Sequence, residues 1–267
     1  MRTSRRALLQ AGLGIGGALV APASPRPLDL RPTAAAVPTL DNPFSLGVAS
    51  GDPWPDGFVI WTRLARQPLA EDGLGGMPGG RRGVQWQVAT DDRFRRVVAS
   101  GRTLTGPELG HAVHVELRGL RPGRAYFYRF RTGRHLSPTG RTRTAPHPAV
   151  TPPSLTMCFA SCAQWEHGFF TAYRRMAQDE PDLVLHLGDY LYEYSPHTVP
   201  AKTGDIRVHA GPETDDLAGY RQRHAQYKTD PDLQLLHGGL ATFHMLDTRQ
   251  HRDDQACGDG TQDCAAA

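Results

Sequence analysis

Three side chains could do chemistry together because of the pattern that surrounds them. Cys162 closes the run Cys158-Phe159-Ala160-Ser161-Cys162, Asp189 closes His186-Leu187-Gly188-Asp189, and Tyr192 follows within Tyr190-Leu191-Tyr192-Glu193-Tyr194. A thiolate, a carboxylate and a phenolate in one crevice form a metal-binding set, since thiol and phenol become ligands when a cation displaces their protons. An aspartate at a strand terminus can also bridge two cations. Phenolate favours a hard trivalent ion, which points to ferric iron, and added carboxylates would bring Ca²⁺ or another hard divalent ion. The same residues equally suit a fold without metal, as a buried cysteine, a strand-capping aspartate and packing tyrosines. Spacing alone leaves these two readings level.

The elements that must position this set read as one βαβ unit. Ser154 to Cys162 is an apolar strand ending in small residues. Gly168 to Gln178 sets Phe169, Phe170, Tyr173, Met176 and Ala177 on one helical face, and Pro181 to Asp189 is a nearly continuous apolar run. Strand, helix and strand over this length build a parallel sheet, whose reactive groups gather at the carboxyl ends of the strands. Cys162 and Asp189 should therefore meet across adjacent strands. Cys158 reads as core packing, and His186 and His244 as core or strand-end histidines. His167 follows a loop glutamate, Glu166, and its spacing assigns it no role.

Upstream, residues 42–148 carry short alternating runs separated by Gly, Pro and Asp, with candidate strands at Phe58–Leu64, Val84–Thr90, Arg96–Ser100, Ala112–Leu117 and Ala125–Arg131. Such alternation argues an all-β sandwich. Leu120-Arg121-Pro122-Gly123-Arg124-Ala125-Tyr126 looks like the tyrosine corner of a fibronectin type III sandwich. A scaffold packed on a catalytic partner is favoured over a carbohydrate- or protein-binding module, and Ser50-Gly51-Asp52-Pro53 reads as a tight loop. Four prolines in residues 145–153 mark the passage to a second domain over residues 154–267.

Residues 1–23 read as an export signal: Arg2, Arg5 and Arg6, a glycine-rich apolar stretch, and the small-x-small pattern Ala21-Pro22-Ala23. Arg5-Arg6 before Leu8-Leu9 fits the twin-arginine route, which carries folded proteins. Ala34-Ala35-Ala36 is a second possible cut, and residues 24–41, rich in Pro and Ala, read as a linker. Cleavage after Ala23 takes the formal charge from +3 to zero, so no nucleic-acid partner is indicated. The stretch is short for a membrane span, and no stable membrane partner is indicated either. Cys257 and Cys264 enclose a short Gly- and Asp-rich loop and could form a local disulfide in an exported protein.

Several long motifs together resemble the PhoD-like alkaline phosphatase family. They are Asn42 to Pro53, Val59-Ile60-Trp61-Thr62-Arg63-Leu64, Phe159-Ala160-Ser161-Cys162, Glu166-His167-Gly168, and His186 to Tyr194. Tyr220-Arg221, Tyr227 to Gln234, and Leu246-Asp247-Thr248-Arg249-Gln250 fit as well. The resemblance implies a twin-arginine-exported enzyme with an N-terminal sandwich and a calcineurin-like metallophosphoesterase domain. It would hold iron (Fe3+) and calcium (Ca2+) and hydrolyse phosphate mono- and diesters in the periplasm, cell wall or extracellular space. Cys162, Asp189 and Tyr192 match family metal ligands, with Asp189 as the bridge. Arg249 suits a phosphate contact through its guanidinium fork, or equally a surface ion pair.

One departure is clear. The family follows its Tyr-x-x-Tyr-Lys-type helix with an Asp-Asp-His-Glu strand, whereas here Leu233 to Gly239 run straight into Leu240 to His244. Neither Asp-Asp-His-Glu nor the later Gly-Asp-x-His-type segment occurs. The sequence thus reads as a family member with an internal deletion and a missing C-terminal part, its metallophosphoesterase domain incomplete. Loss of the opposing ligands should weaken metal affinity, so a catalytically impaired fragment is the alternative reading. A purple-acid-phosphatase-like enzyme fits less well, because Ala160-Ser161-Cys162 stands where its Asp-x-Asp or Asp-x-His signature would be.

Overall fold

The computed structural model describes residues 42–239 and 242–245. The signal, the linker, Arg249, Cys257 and Cys264 lie outside the described residues. No described helix is long and apolar enough to cross a membrane.

The first part is built of β1 (Val48–Trp54), β2 (Gly57–Arg63), β3 (Arg82–Ala89), β4 (Val97–Thr105), β5 (Ala112–Leu117), β6 (Ala125–Thr132), β7 (His135–Leu136) and β8 (Gly140–Arg143). These form two antiparallel sheets, β1-β2-β5 and β4-β3-β6-β7, with β8 also on β6. Alternation decides which side chains turn inward. Val113, Val115 and Leu117 of β5 are buried, as are Tyr126, Tyr128 and Phe130 of β6, and they join Phe58, Ile60, Val84 and Val88 in one apolar cluster. Gly140 lies so close to the Tyr128 ring that a Cβ there would collide with it. The Tyr126 hydroxyl accepts a hydrogen bond from the Arg121 N–H at 2.9 Å, the bond expected of a tyrosine corner.

The expected tight loop at Ser50 to Pro53 is instead part of β1. Gly, Asp and Pro together signal a turn, but the strand absorbs them. Its register shifts between Gly51 and Trp54, and Asp52 takes a left-handed φ of 48°.

The second part opens with β9 (Met157–Ala160), followed by α1 (Thr171–Gln178), β10 (Leu183–His186), α2 (Leu217–Lys228), α3 (Pro231–Gly238) and β11 (Thr242–Met245). β9, β10 and β11 form a parallel sheet with β10 in the centre. α2 starts at Asp216, whose carboxylate accepts from the Gly219 N–H. α3 starts at Asp230-Pro231, with the Asp230 carboxylate accepting from the Asp232 and Leu233 amides and proline in the first turn. α1 begins three residues later than the helical spacing suggests. A short 3₁₀ turn at Trp165–His167 precedes it, so Phe169 is out of phase and 65% exposed, whereas Phe170 and Tyr173 enter the core.

The two parts touch through side chains that reach across. Arg63 of β2 donates to the carbonyls of Gly110, Gly73 and, on α2, Arg221. Gln234 of α3 donates to the Ser45 carbonyl at 2.9 Å.

Candidate metal centre

β9 and β10 pair in parallel with Ala160 opposite His186, so their carboxyl ends leave the sheet side by side. The segments beyond are joined by main-chain bonds: the Cys162 N–H donates to the Gly188 carbonyl at 3.2 Å, and the Ala163 N–H to the Asp189 carbonyl at 2.9 Å. Cys162 and Asp189 both adopt left-handed backbone, with φ of 56° and 53°. That region is costly for residues other than glycine and concentrates where a site imposes it. Cys162 is therefore turned by its own backbone, past the end of the alternating strand.

Three side chains converge there. The Cys162 thiol donates to Asp189 Oδ2 at 3.4 Å, and the Tyr192 hydroxyl donates to the same oxygen at 2.9 Å. Burial, together with hydrogen bonds to Asp189 and Cys162, raises the Tyr192 phenol well above its ordinary range. Two proton-bearing groups aimed at one carboxylate oxygen are arranged as a cation would require, its charge replacing both protons. The donor set of sulfur, phenol and carboxylate fits a hard or borderline transition ion better than a purely alkaline-earth one. Cys158 is half-buried against the second apolar cluster, as expected of packing. His186 is buried and its Nε2 lies 3.1 Å from the Tyr173 hydroxyl, which makes it a core histidine. Tyr190 is likewise buried, its hydroxyl 3.0 Å from His237 Nε2. His167 Nε2 lies 2.8 Å from the Val199 carbonyl.

Three residues that shape the site are given no role by spacing, although Glu166 and Tyr227 lie within the family motifs. Arg223 of α2, fully buried, donates to the carbonyls of Tyr192 and Tyr194 and, further on, of Ala210 and Pro212. The Tyr227 hydroxyl accepts from the Tyr192 and Trp165 amides at 3.2 and 3.1 Å. Glu166, with 0% exposure, accepts from the His197 and His209 amides. Its carboxylate, His197 and Asp205 have ligand atoms within 4.8 Å of one another, a second group able to hold a cation. In the structure His197 Nδ1 and Asp205 Oδ2 are paired at 2.7 Å, and the Glu166 oxygens already gather loop amides. Arg223, Tyr227 and Glu166 meet main-chain groups, which leave no spacing in a sequence. The adjacent Tyr227-Lys228 pair was the nearest available signal.

The sequence and fold match known proteins. Residues 31–146 match the PhoD-like phosphatase N-terminal domain and residues 157–239 match the PhoD-like phosphatase domain. Alkaline phosphatase D of Bacillus subtilis (strain 168) is 41% identical over 288 residues, covering 82% of this chain and 49% of that protein. A solved structure of PhoD superimposes with a TM-score of 0.75 at 48% identity, covering 80% of this chain and 40% of that one. The chain belongs to the PhoD-like phosphatase family. It spans about half the length of the curated relative it matches. Since 82% of 267 residues is about 219, the 288 aligned positions include roughly 70 that the relative fills and this chain does not.

Proposed function

We propose that this chain is a metal-dependent phosphoester hydrolase of the PhoD-like kind, acting on phosphate mono- or diesters. The observation that carries the reading is the convergence of Cys162 and Tyr192 on one oxygen of Asp189. Cys162, Asp189 and Tyr192 would hold the metals, ferric iron and calcium being those the family resemblance implies. Bound there, such cations would supply Lewis acidity for the hydrolysis of a phosphate ester. The residues around them orient and enclose: Arg223 and Tyr227 fix the main chain of Tyr192, and the left-handed turns aim Cys162 and Asp189. Arg249 is assigned to the phosphate oxygens. The tyrosine corner and the two antiparallel sheets support a fibronectin type III-like sandwich over residues 42–148, and the β9-α1-β10 unit supports a calcineurin-like domain beyond 154. The arginine pair at Arg5-Arg6 supports twin-arginine export to the periplasm, cell wall or extracellular space.

A second reading, a catalytically impaired member, is favoured by the absence of Asp-Asp-His-Glu from the sequence and by the aligned positions this chain leaves unfilled. One assay separates the two. The metal-reconstituted protein is offered p-nitrophenyl phosphate and its bis-ester beside Asp189→Asn. The hydrolase reading expects turnover that falls at least ~100-fold in the variant, as loss of a cation ligand should produce. Equal rates in both proteins reject the site, and absence of turnover in both selects the impaired reading.

A further inference from the structure

The outer face of the β4-β3-β6-β7 sheet carries a groove of about 720 Å³ whose described lining holds four arginines and no acid. Cross-strand pairing sets Arg102, Gln85 and Arg131 in one row, and Ser100, Gln87 and Arg129 in the next. Alternate residues of a strand lie roughly 7 Å apart and next-but-one strands roughly 10 Å apart, which fixes the spacing of Arg129, Arg131 and Arg102. The fourth arginine, Arg134, lines the groove from the turn between β6 and β7.

The guanidinium groups of Arg102, Arg129 and Arg131 are oriented by neutral partners. Arg129 donates from Nε and Nη2 to Gln87 Oε1, at 3.0 and 2.8 Å, and lies 3.9 Å over the Phe94 ring. Arg131 donates to the Gly133 carbonyl at 3.2 Å. Arg102 lies across Gly83, where a Cβ would strike its guanidinium. None of the described salt bridges includes Arg102, Arg129 or Arg131. Elsewhere in the first part arginines do find acids: Arg118 pairs with Asp56 and Glu116, Arg81 with Glu108, and Arg141 with Glu180. An arginine-rich composition alone would not set Arg102, Arg129 and Arg131 side by side with no described acid partner. Like charges gathered at these distances repel one another and raise a positive potential that an anion relieves.

We propose that this groove binds a linear polyanion carrying repeated phosphates, held by Arg102, Arg129 and Arg131. A guanidinium fork takes two phosphate oxygens at once, and an open groove crossing several strands admits an extended chain. The choice of phosphate over other anions rests on the phosphoesterase reading above. Binding needs neither the metal centre nor turnover, so failure of that reading leaves this measurement intact.

The test is fluorescence anisotropy of labelled linear inorganic polyphosphate with the full chain, at 50 and 200 mM NaCl. Arg102→Gln/Arg131→Gln is compared with Arg66→Gln/Arg124→Gln, which removes the same charge outside the groove. The groove pair should weaken binding at least ~10-fold and lower the slope of log affinity against log salt by about 1.4, two contacts' worth on a single-stranded polyanion. The control pair should stay within about twofold, by the same counting of contacts. If the double variant melts lower than the parent, Arg102→Gln alone is read instead, with half that change in slope. Equal losses in both pairs, absence of binding by the parent protein, or polyglutamate binding as tightly as polyphosphate would each overturn the proposal.

Discussion

Lys228 is 3% exposed where α2 meets the sandwich, its ammonium 4.8 Å over the Trp61 ring. Burial lowers its amine to about 7, and the neighbouring His224 and His237 are held neutral by burial as well. Below pH ~7 the lysine is charged both folded and unfolded, and the cost of burying that charge is fully present. Between about 7 and 10.5 the unfolded chain keeps a proton that the folded one has lost, so this group makes stability rise with pH. Lys228→Met should therefore be more stable than the parent at pH 7, by at least ~1 kcal/mol, and should lack that increment. Urea unfolding of both proteins at pH 7 and 9 reads the difference. A constant gap between them at the two pH values would remove Lys228 from the account. No motif announces this residue as buried, because lysine is among the side chains least often found inside.

At the scale of elements, alternation was the most legible signal. Ala112–Leu117 was bounded by pattern alone and is β5. The strands at β2, β3 and β6 were read to within two residues of their ends, because one wall of each faces the core. The two-residue β7 and four-residue β8 passed unseen, being too short to show a period, and β1 was hidden by its own turn-forming residues. The convergence of Cys162 and Asp189 was legible because adjacent parallel strands present their carboxyl ends together. The left-handed turns that aim them were not, since nothing in either residue type demands that conformation. One face of the same sheet carries a liability. Met157 and Phe159 of β9 are 52% and 68% exposed, whereas Cys158 and Ala160 pack inward. Parallel sheets are ordinarily covered on both faces, and exposed apolar strands invite association. Met157→Thr/Phe159→Thr should reduce light scattering and dye binding by the purified chain while leaving its circular dichroism unchanged. Unaltered scattering would show that this face is not what associates.

At the scale of the whole molecule, the sandwich and the second part are held by hydrogen bonds aimed at carbonyls. Arg63, 4% exposed, serves three carbonyls on three separate segments, and the one at Arg221 lies in the second part. Arg63→Ala would strand those acceptors, each worth about 1 kcal/mol or more when buried without a partner, so a loss of roughly 3 kcal/mol is expected in urea unfolding. A loss under ~1 kcal/mol would mean that water replaces the guanidinium at that seam. The arrangement on α2 has a mechanical meaning. Arg63 grips the helix at the Arg221 carbonyl, and two residues along, Arg223 grips the main chain of Tyr192. Less than one helical turn separates the two grips. A short stretch of one helix therefore ties β2 to the main chain that carries the Tyr192 phenol, so the site is anchored to the first sheet as well as to its own.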